Sequence, residues 1–282
     1  MASDTQIKFN KSAHDKVAKK YEKIHTEIYN EIEQERLQSA LAAAVAACEV
    51  SKPALALDIG CGAGNLSKHL LDLGASVTAA DISSNFLDLV KTNYPTVLTH
   101  HLNGEDLKEI PDASFDVVAT YSVLHHIPNY LKMVEEMCRV LKLGGILYID
   151  HEHNETYWNQ DKTLIEFYVN QRYSDIPTKV VRKLKNYTNP YWYIGKYRRL
   201  KNPRYQEEGD IHVWPDDHVE WSLVKDLTSK LGFEIISQMD FLLFNSKYNV
   251  SIYKEYQDQT SDMRAVMFRK TDTASSVLPD HK

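Results

Sequence analysis

The sequence predicts an α/β fold built on a doubly wound, mostly parallel sheet of seven strands, the last antiparallel. Three observations support this. Short apolar runs alternate with helix-length amphipathic stretches from Ala54 to Asp150. The runs are nearly continuous rather than alternating, as in strands buried on both faces. A glycine-rich turn joins the first run to a helix, the usual entry to such a sheet.

From Ser12 to Cys48, Val17, Tyr21, Ile24, Ile28, Ile32 and Leu37 recur at helical spacing among charges, and Ser51-Lys52-Pro53 ends the pattern. Residues 1–50 are therefore read as a helical segment covering the site, and 51–150 as the core. Ala54 to Ile59 is the first strand, leading into Gly60-Cys61-Gly62-Ala63-Gly64. A helix with Leu66, His69, Leu70 and Leu73 follows, and Gly74 stops it. Ser76 to Ala80 is the second strand, closed by Asp81, and Asn85 to Asn93 is a helix before Pro95. Thr96 to Leu102 and Phe115 to Tyr121 are strands three and four. Tyr130 to Leu141 is a helix, and Gly144-Gly145 leads into strand five, Ile146 to Asp150. Right-handed crossovers leave a Rossmann-like arrangement as the natural solution.

The rhythm fails over 151–210, an aromatic and basic stretch read as an insertion after strand five, at the edge where such sheets bind ligands. It resumes over 211–270 with a helix from Asp217 to Leu231, a stop at Gly232, and strands Phe233 to Leu243 and Met263 to Arg269. Residues 271–282 read as a disordered polar tail.

A net charge of -6 argues against a chain that coats nucleic acid. Three cysteines, Cys48, Cys61 and Cys138, without a CxxC pair fit a reducing compartment. No stretch reads as a signal peptide or a membrane span, so a cytoplasmic location is expected.

Glycines at 60, 62 and 64 let the backbone approach a ligand closely. Asp58 precedes the turn, Asp81 ends strand two where a carboxylate can accept from two ribose hydroxyls, and Asn103-Gly104-Glu105-Asp106 follows strand three. With Asp58-Ile59-Gly60-Cys61-Gly62-Ala63-Gly64, Asp81-Ile82-Ser83, Ser114-Phe115-Asp116-Val117-Val118, Leu124-His125-His126-Ile127 and Arg139-Val140-Leu141-Lys142-Leu143-Gly144-Gly145 in order, the sequence resembles the class I S-adenosylmethionine-dependent methyltransferases of the small-molecule type. The resemblance covers residues 15 to 150. It implies S-adenosylmethionine as cofactor, with Gly60, Gly62 and Gly64 under its methionine part and Asp58 near its amino group. It further implies Asp81 on the ribose, Ile82 on the adenine face, Asn103 and Gly104 at the adenine edge, Tyr121 and Ser122 flanking the sulfonium, and Tyr21 closing over it. The family often has aspartate where this chain has Asn103.

The implied activity is methylation of a small-molecule acceptor at oxygen, nitrogen or carbon. If a base assists, the candidates are His125, His126, His151 and His153, with His212 nearby, since imidazole titrates near neutrality. No metal is expected; the alternative ligand set is His151, His153, Asp210 and His212. Between Lys179 and Arg204 stand nine basic residues and no acidic one, which points to a phosphate- or carboxylate-bearing acceptor if the stretch is functional. The competing reading is a solvated surface. An anionic membrane surface is a minority alternative, and nucleic acid is disfavoured because no recognition module is present. Two other functions stay open: a cofactor-binding regulatory or interaction protein without catalysis, and a methyltransferase of a lipid or nucleic acid. The oligomeric state is open.

Overall fold

The computed structural model describes residues 2–48, 53–174 and 190–271. Helix α1 (Ala2–Val17) passes through a 3-10 turn into α2 (Tyr21–Ile24), and α3 is Glu31–Ala47. The core then alternates β1 (Leu55–Ile59), α4 (Asn65–Asp72), β2 (Ser76–Asp81), α5 (Ser84–Asn93), β3 (Leu98–His101), β4 (Phe115–Tyr121), α6 (Tyr130–Val140) and β5 (Leu141–His153). The insertion contributes α7 (Glu155–Trp158), α8 (Lys162–Ser174) and α9 (Pro190–Lys201). The hairpin β6 (Val213–Trp214) and β7 (Asp217–His218) precedes α10 (Trp221–Lys230), β8 (Phe233–Phe241), α11 (Val250–Tyr256) and β9 (Met263–Lys270).

One sheet of seven strands has the order β3-β2-β1-β4-β5-β9-β8. The first five are mutually parallel, and β9 inserts antiparallel between β5 and β8. Leu57, Val118 and Leu147 pack on one face with α6 and Trp221 and Val224 of α10. Ala56, Val117 and Tyr148 pack on the other with Leu37 and Leu41 of α3, Leu66 and Leu70 of α4, and Leu87 and Val90 of α5. Burial of apolar side chains on both faces is what makes these strands read as continuous apolar runs. Polar caps set the helix starts: Asn30 accepts from Glu33 N–H at 3.0 Å, Ser83 from Phe86 N–H at 3.3 Å, and Asn129 from Lys132 N–H at 3.1 Å.

Several expectations need correction. The helix expected from Ser12 to Cys48 is broken, and α1 begins ten residues earlier. No proline or glycine makes the break. Asn30 Nδ2 donates to the carbonyls of Thr26, Glu27 and Phe244, so a polar turn outcompetes helix continuation. The helix expected from Asp217 starts at Trp221, because Asp217 and His218 pair with Trp214 and Val213. Helix α11 interrupts what reads as a loop. In the insertion, α8 forms a small separate core with the chain after β8, through Leu164, Phe167, Leu242, Phe244, Tyr253 and Tyr256. Lys179, Arg182, Lys183, Lys185 and the tail after Thr271 lie outside the described residues.

Candidate functional site

The turn after β1 is built by the backbone conformations of its glycines and by two carboxylates. Gly60, Gly62 and Gly64 have φ of 68°, 49° and 91°, in the left-handed region. A Cβ on Gly60 would stand 2.5 Å from Val123 Cγ2, and one on Gly64 2.9 Å from Tyr94 Cε2. Gly60 and Cys61 donate to the Ala80 carbonyl, which locks the turn onto β2. Asp81 then receives Gly62 N–H at 3.0 Å and Ser83 N–H at 2.8 Å. Burial pushes the Asp81 carboxyl up to about 6, against the pull of those two donors.

Beside this turn lies a cavity of about 750 Å³, its open mouth included, within the range of small-molecule sites. Tyr21, Gly60, Gly62, Asp81, Ile82, Gly104, Tyr121 and Ser122 line it together, although they come from five segments of the chain. Ile7, Asn10 and His14 also line it, at the spacing of one face of α1. That helix is tied down at several points. Asn10 Nδ2 donates to the His126 carbonyl at 2.7 Å, Gln6 Nε2 to the Gly209 carbonyl at 2.9 Å, and Ser83 Oγ to Asp15 at 2.6 Å. Sequence reading missed α1 at this place, as well as Phe86, Val123, Ile127, Pro128 and Met133 of the lining. The only signal was the 7-10-14 periodicity, in a segment short of strong apolar residues.

Three residues expected in the site are elsewhere. Asp58 is buried and accepts from both the N–H (3.0 Å) and Oγ (2.6 Å) of Ser67, so it fastens the start of α4 instead of lining the cavity. Burial raises its carboxyl to about 7. Gly64 packs against Tyr94 and Val90 as the left-handed cap of α4. Asn103 Oδ1 is consumed by the N–H groups of Glu105 and Asp106 at 2.7 and 3.0 Å, an Asx turn. It faces a neighbouring groove with Lys8, Lys11 and His100.

A second chamber, of about 520 Å³, meets the first at Ser122, which lines both. Its walls include His125, His151, Glu152, His153, Trp158, Asp210 and His212. Ser122 and His151 hold φ of 59° and 62°, conformations costly for side-chain-bearing residues and concentrated at working sites. Opposing carbonyls and carboxylates hold them: Ser122 N–H donates to Asp150 O at 3.0 Å, and His151 N–H to Asp150 Oδ1 at 2.6 Å.

The four candidate histidines differ sharply. His125 Nδ1 meets Glu152 Oε2 at 2.9 Å, while Glu152 Oε1 takes the N–H groups of Val123 and Leu124 at 3.1 and 2.7 Å. Burial would lower His125, but the charge and hydrogen bond of Glu152 outweigh it and raise it to about 8. His126 lines the first cavity, and burial together with the neighbouring His125 holds it well below the usual value. His151 is pushed down by burial and by Arg36, its Nδ1 at 2.5 Å from Tyr121 OH. His153 stacks on Tyr157 at 3.6 Å and is lowered by burial to about 4.

Behind both chambers, Arg36 binds Glu33 and Asp150, and Tyr121 OH donates to Glu33 at 2.8 Å. The expected alternative ligand set, His151, His153, Asp210 and His212, does not converge. Among the described residues, three potential ligand atoms come within 4.8 Å of one another only in His125, His126 and Asp210. Cys61 is buried and its thiol pushed well up by burial, so it is no nucleophile. No helix among the described residues is long and apolar enough to cross a membrane. Of the basic stretch, Arg198 bonds Tyr205, Arg204 pairs with Asp216, and Lys201 lies 4.9 Å above Tyr197, so these charges are partnered locally.

Comparison with known proteins agrees with this geometry. Residues 57–149 match a family model described as a methyltransferase domain. Over 108 residues the chain is 32% identical to the ubiquinone biosynthesis O-methyltransferase of Xanthomonas campestris, covering 36% of this chain and 45% of that protein. Over 101 residues it is 32% identical to a probable S-adenosylmethionine-dependent methyltransferase of Mycolicibacterium smegmatis, covering 36% and 39%. The chain thus matches less than half the length of these relatives. Among solved structures, an S-adenosylmethionine-dependent methyltransferase of Mesorhizobium loti shares the fold with a TM-score of 0.53 at 15% identity, over 83% of this chain and 98% of that one.

Proposed function

We infer that this chain, whose residues 57–149 form a class I S-adenosylmethionine-dependent methyltransferase domain, methylates a hydroxyl of a small molecule held in the histidine-lined chamber. The observation that carries this reading is Ser122, which lines both the glycine-turn cavity and a second cavity containing a paired histidine. The first cavity suits a nucleoside cofactor. A side chain on Gly60 or Gly104 would collide with Val123 or Ile7, and a buried carboxylate, Asp81, stands in the wall to accept hydroxyl protons. Ile82 and Leu102 offer apolar surface to a base, and Tyr21 and His14 close the opposite side.

Bound there, S-adenosylmethionine supplies an electrophilic methyl carbon on sulfur, so the chain has no leaving group to create. Its own contribution is alignment and proton removal. With Nδ1 held by Glu152, His125 keeps Nε2 for the acceptor hydroxyl. An acceptor hydroxyl held in the chamber would give its proton to His125 as its oxygen takes the methyl group that the cofactor would supply, with Ser122 between the two cavities. Glu152 stabilises the imidazolium and fixes its ring, as a carboxylate behind a histidine base does elsewhere. Asn10 and the rest of α1 exclude water from the first cavity.

The test is label transfer from methyl-labelled cofactor to a panel of small phenols, alcohols, amines and carboxylates. Transfer to hydroxyl acceptors, lowered at least a hundredfold in His125→Gln with cofactor affinity kept, is the expected result. Tight cofactor binding with no transfer to any acceptor would instead favour a binding protein without catalysis. Transfer unaffected by His125→Gln would remove the histidine from the chemistry.

A further inference from the structure

The acceptor chamber has a neighbour beyond its histidines. Trp158 and Val213 line it, and the same two residues line a further groove of about 850 Å³, open to solvent, with Tyr157, Ile165, Tyr168 and Trp214. The two spaces differ in chemistry. The chamber presents His125, Glu152, His153 and Asp210, whereas no residue lining the groove carries a formal charge. Ile165 is 45% exposed there, a large apolar side chain on α8 left facing the groove. Trp158 stands at the junction, packed on the rings of Tyr157 at 4.8 Å and His218 at 4.4 Å. Its Nε1 is buried and has no hydrogen-bond partner among the described residues. A buried donor left unmet is costly unless a ligand atom satisfies it.

We propose that the acceptor is amphipathic, its hydroxyl-bearing end in the histidine chamber and an apolar tail along the groove under Ile165 and Trp214. This rests on reading the chamber as the acceptor site. Trp158 and Val213 belong to both walls, so the groove adjoins the chamber and lies within reach of the same molecule. A polar atom near the head of the tail meets Trp158 Nε1, and the tail removes Ile165 and Trp214 from water.

The experiment is calorimetric binding of 4-alkylphenols, from phenol to 4-octylphenol, to the full chain saturated with S-adenosylhomocysteine, with methyl transfer measured on the same series. Affinity should rise about two- to fourfold for each added methylene, as expected for burial of aliphatic surface. Ile165→Asp and, separately, Trp214→Ser should flatten the series while leaving phenol and S-adenosylhomocysteine binding unchanged. A flat series in the native chain, or a slope unchanged in both variants, overturns the groove. Steep binding without methyl transfer to any phenol leaves the groove standing and removes the catalytic reading. Methyl transfer with a flat series does the reverse, and no phenol binding at all removes both.

Discussion

In the proposed reaction Asp81 and His125 both work in their deprotonated forms, so both lose function as pH falls, His125 through about 8 and Asp81 through about 6. Asp81 accepts best when ionised. Its carboxyl, raised by burial to about 6, loses that form as pH falls through 6, so cofactor affinity should weaken below that point. Asp81→Ala should weaken affinity at least tenfold at neutral pH, about 1.4 kcal/mol, as measured by calorimetry; unchanged binding would remove Asp81 from the site. His125 must be neutral to take a proton. Raised to about 8 with Glu152 beside it, it is mostly protonated at pH 7, so turnover should climb with pH and level off above about 8. In Glu152→Gln the midpoint should move down, because the charge that holds the proton is gone. An unmoved midpoint would mean that another group sets the profile. Asp58 shows where residue-level reading misleads: its strand-end position looks like that of a ligand, yet Ser67 takes its carboxylate.

At the scale of elements, α1 is the piece whose role is least visible in its own sequence. It closes the first cavity through Ile7, Asn10 and His14, and its anchors include hydrogen bonds to residues between 68 and 203 positions away. Asn10→Ala removes the bond to the His126 carbonyl and the one from Gln6 Nε2. The outcome should be faster amide exchange confined to α1 and cofactor binding weakened severalfold, with the melting temperature shifted little. Exchange unchanged in α1 would show that Asn10 is not its anchor. A terminal helix anchored largely by individual hydrogen bonds opens more readily than one packed in the core, which suits a cover that must admit a cofactor.

At the scale of the whole molecule, Arg36 ties α3 to the carboxyl ends of β4 and β5 and to β8. It bonds Glu33 at 2.5 Å and Asp150 at 2.9 Å and lies 3.8 Å above the Phe241 ring. Glu33 in turn holds Tyr121, and Asp150 holds the backbone of Ser122 and His151. Arg36→Met leaves two buried carboxylates facing each other. Such a loss costs about 3–5 kcal/mol, so denaturant unfolding should show a drop of that size. A change below about 1 kcal/mol would mean that the network is solvated rather than closed.

Local order was legible from the chain alone. Strand–helix alternation, the apolar runs, the glycine turn and the carboxylate ending β2 are short-range patterns, and they determined the sheet and the place of its ligand cavity. Which polar residues touch that cavity depends on hydrogen-bond competition among distant segments. Asn103 is taken by its own turn, Asp58 by Ser67, and Asn10 reaches His126 across 116 positions. The helix break at 25–30 and the pairing of His125 with Glu152 have the same origin. Periodicity records which face of an element is apolar. Only the packed tertiary structure decides which donor meets which acceptor, because those partners are brought together by folding and not by spacing.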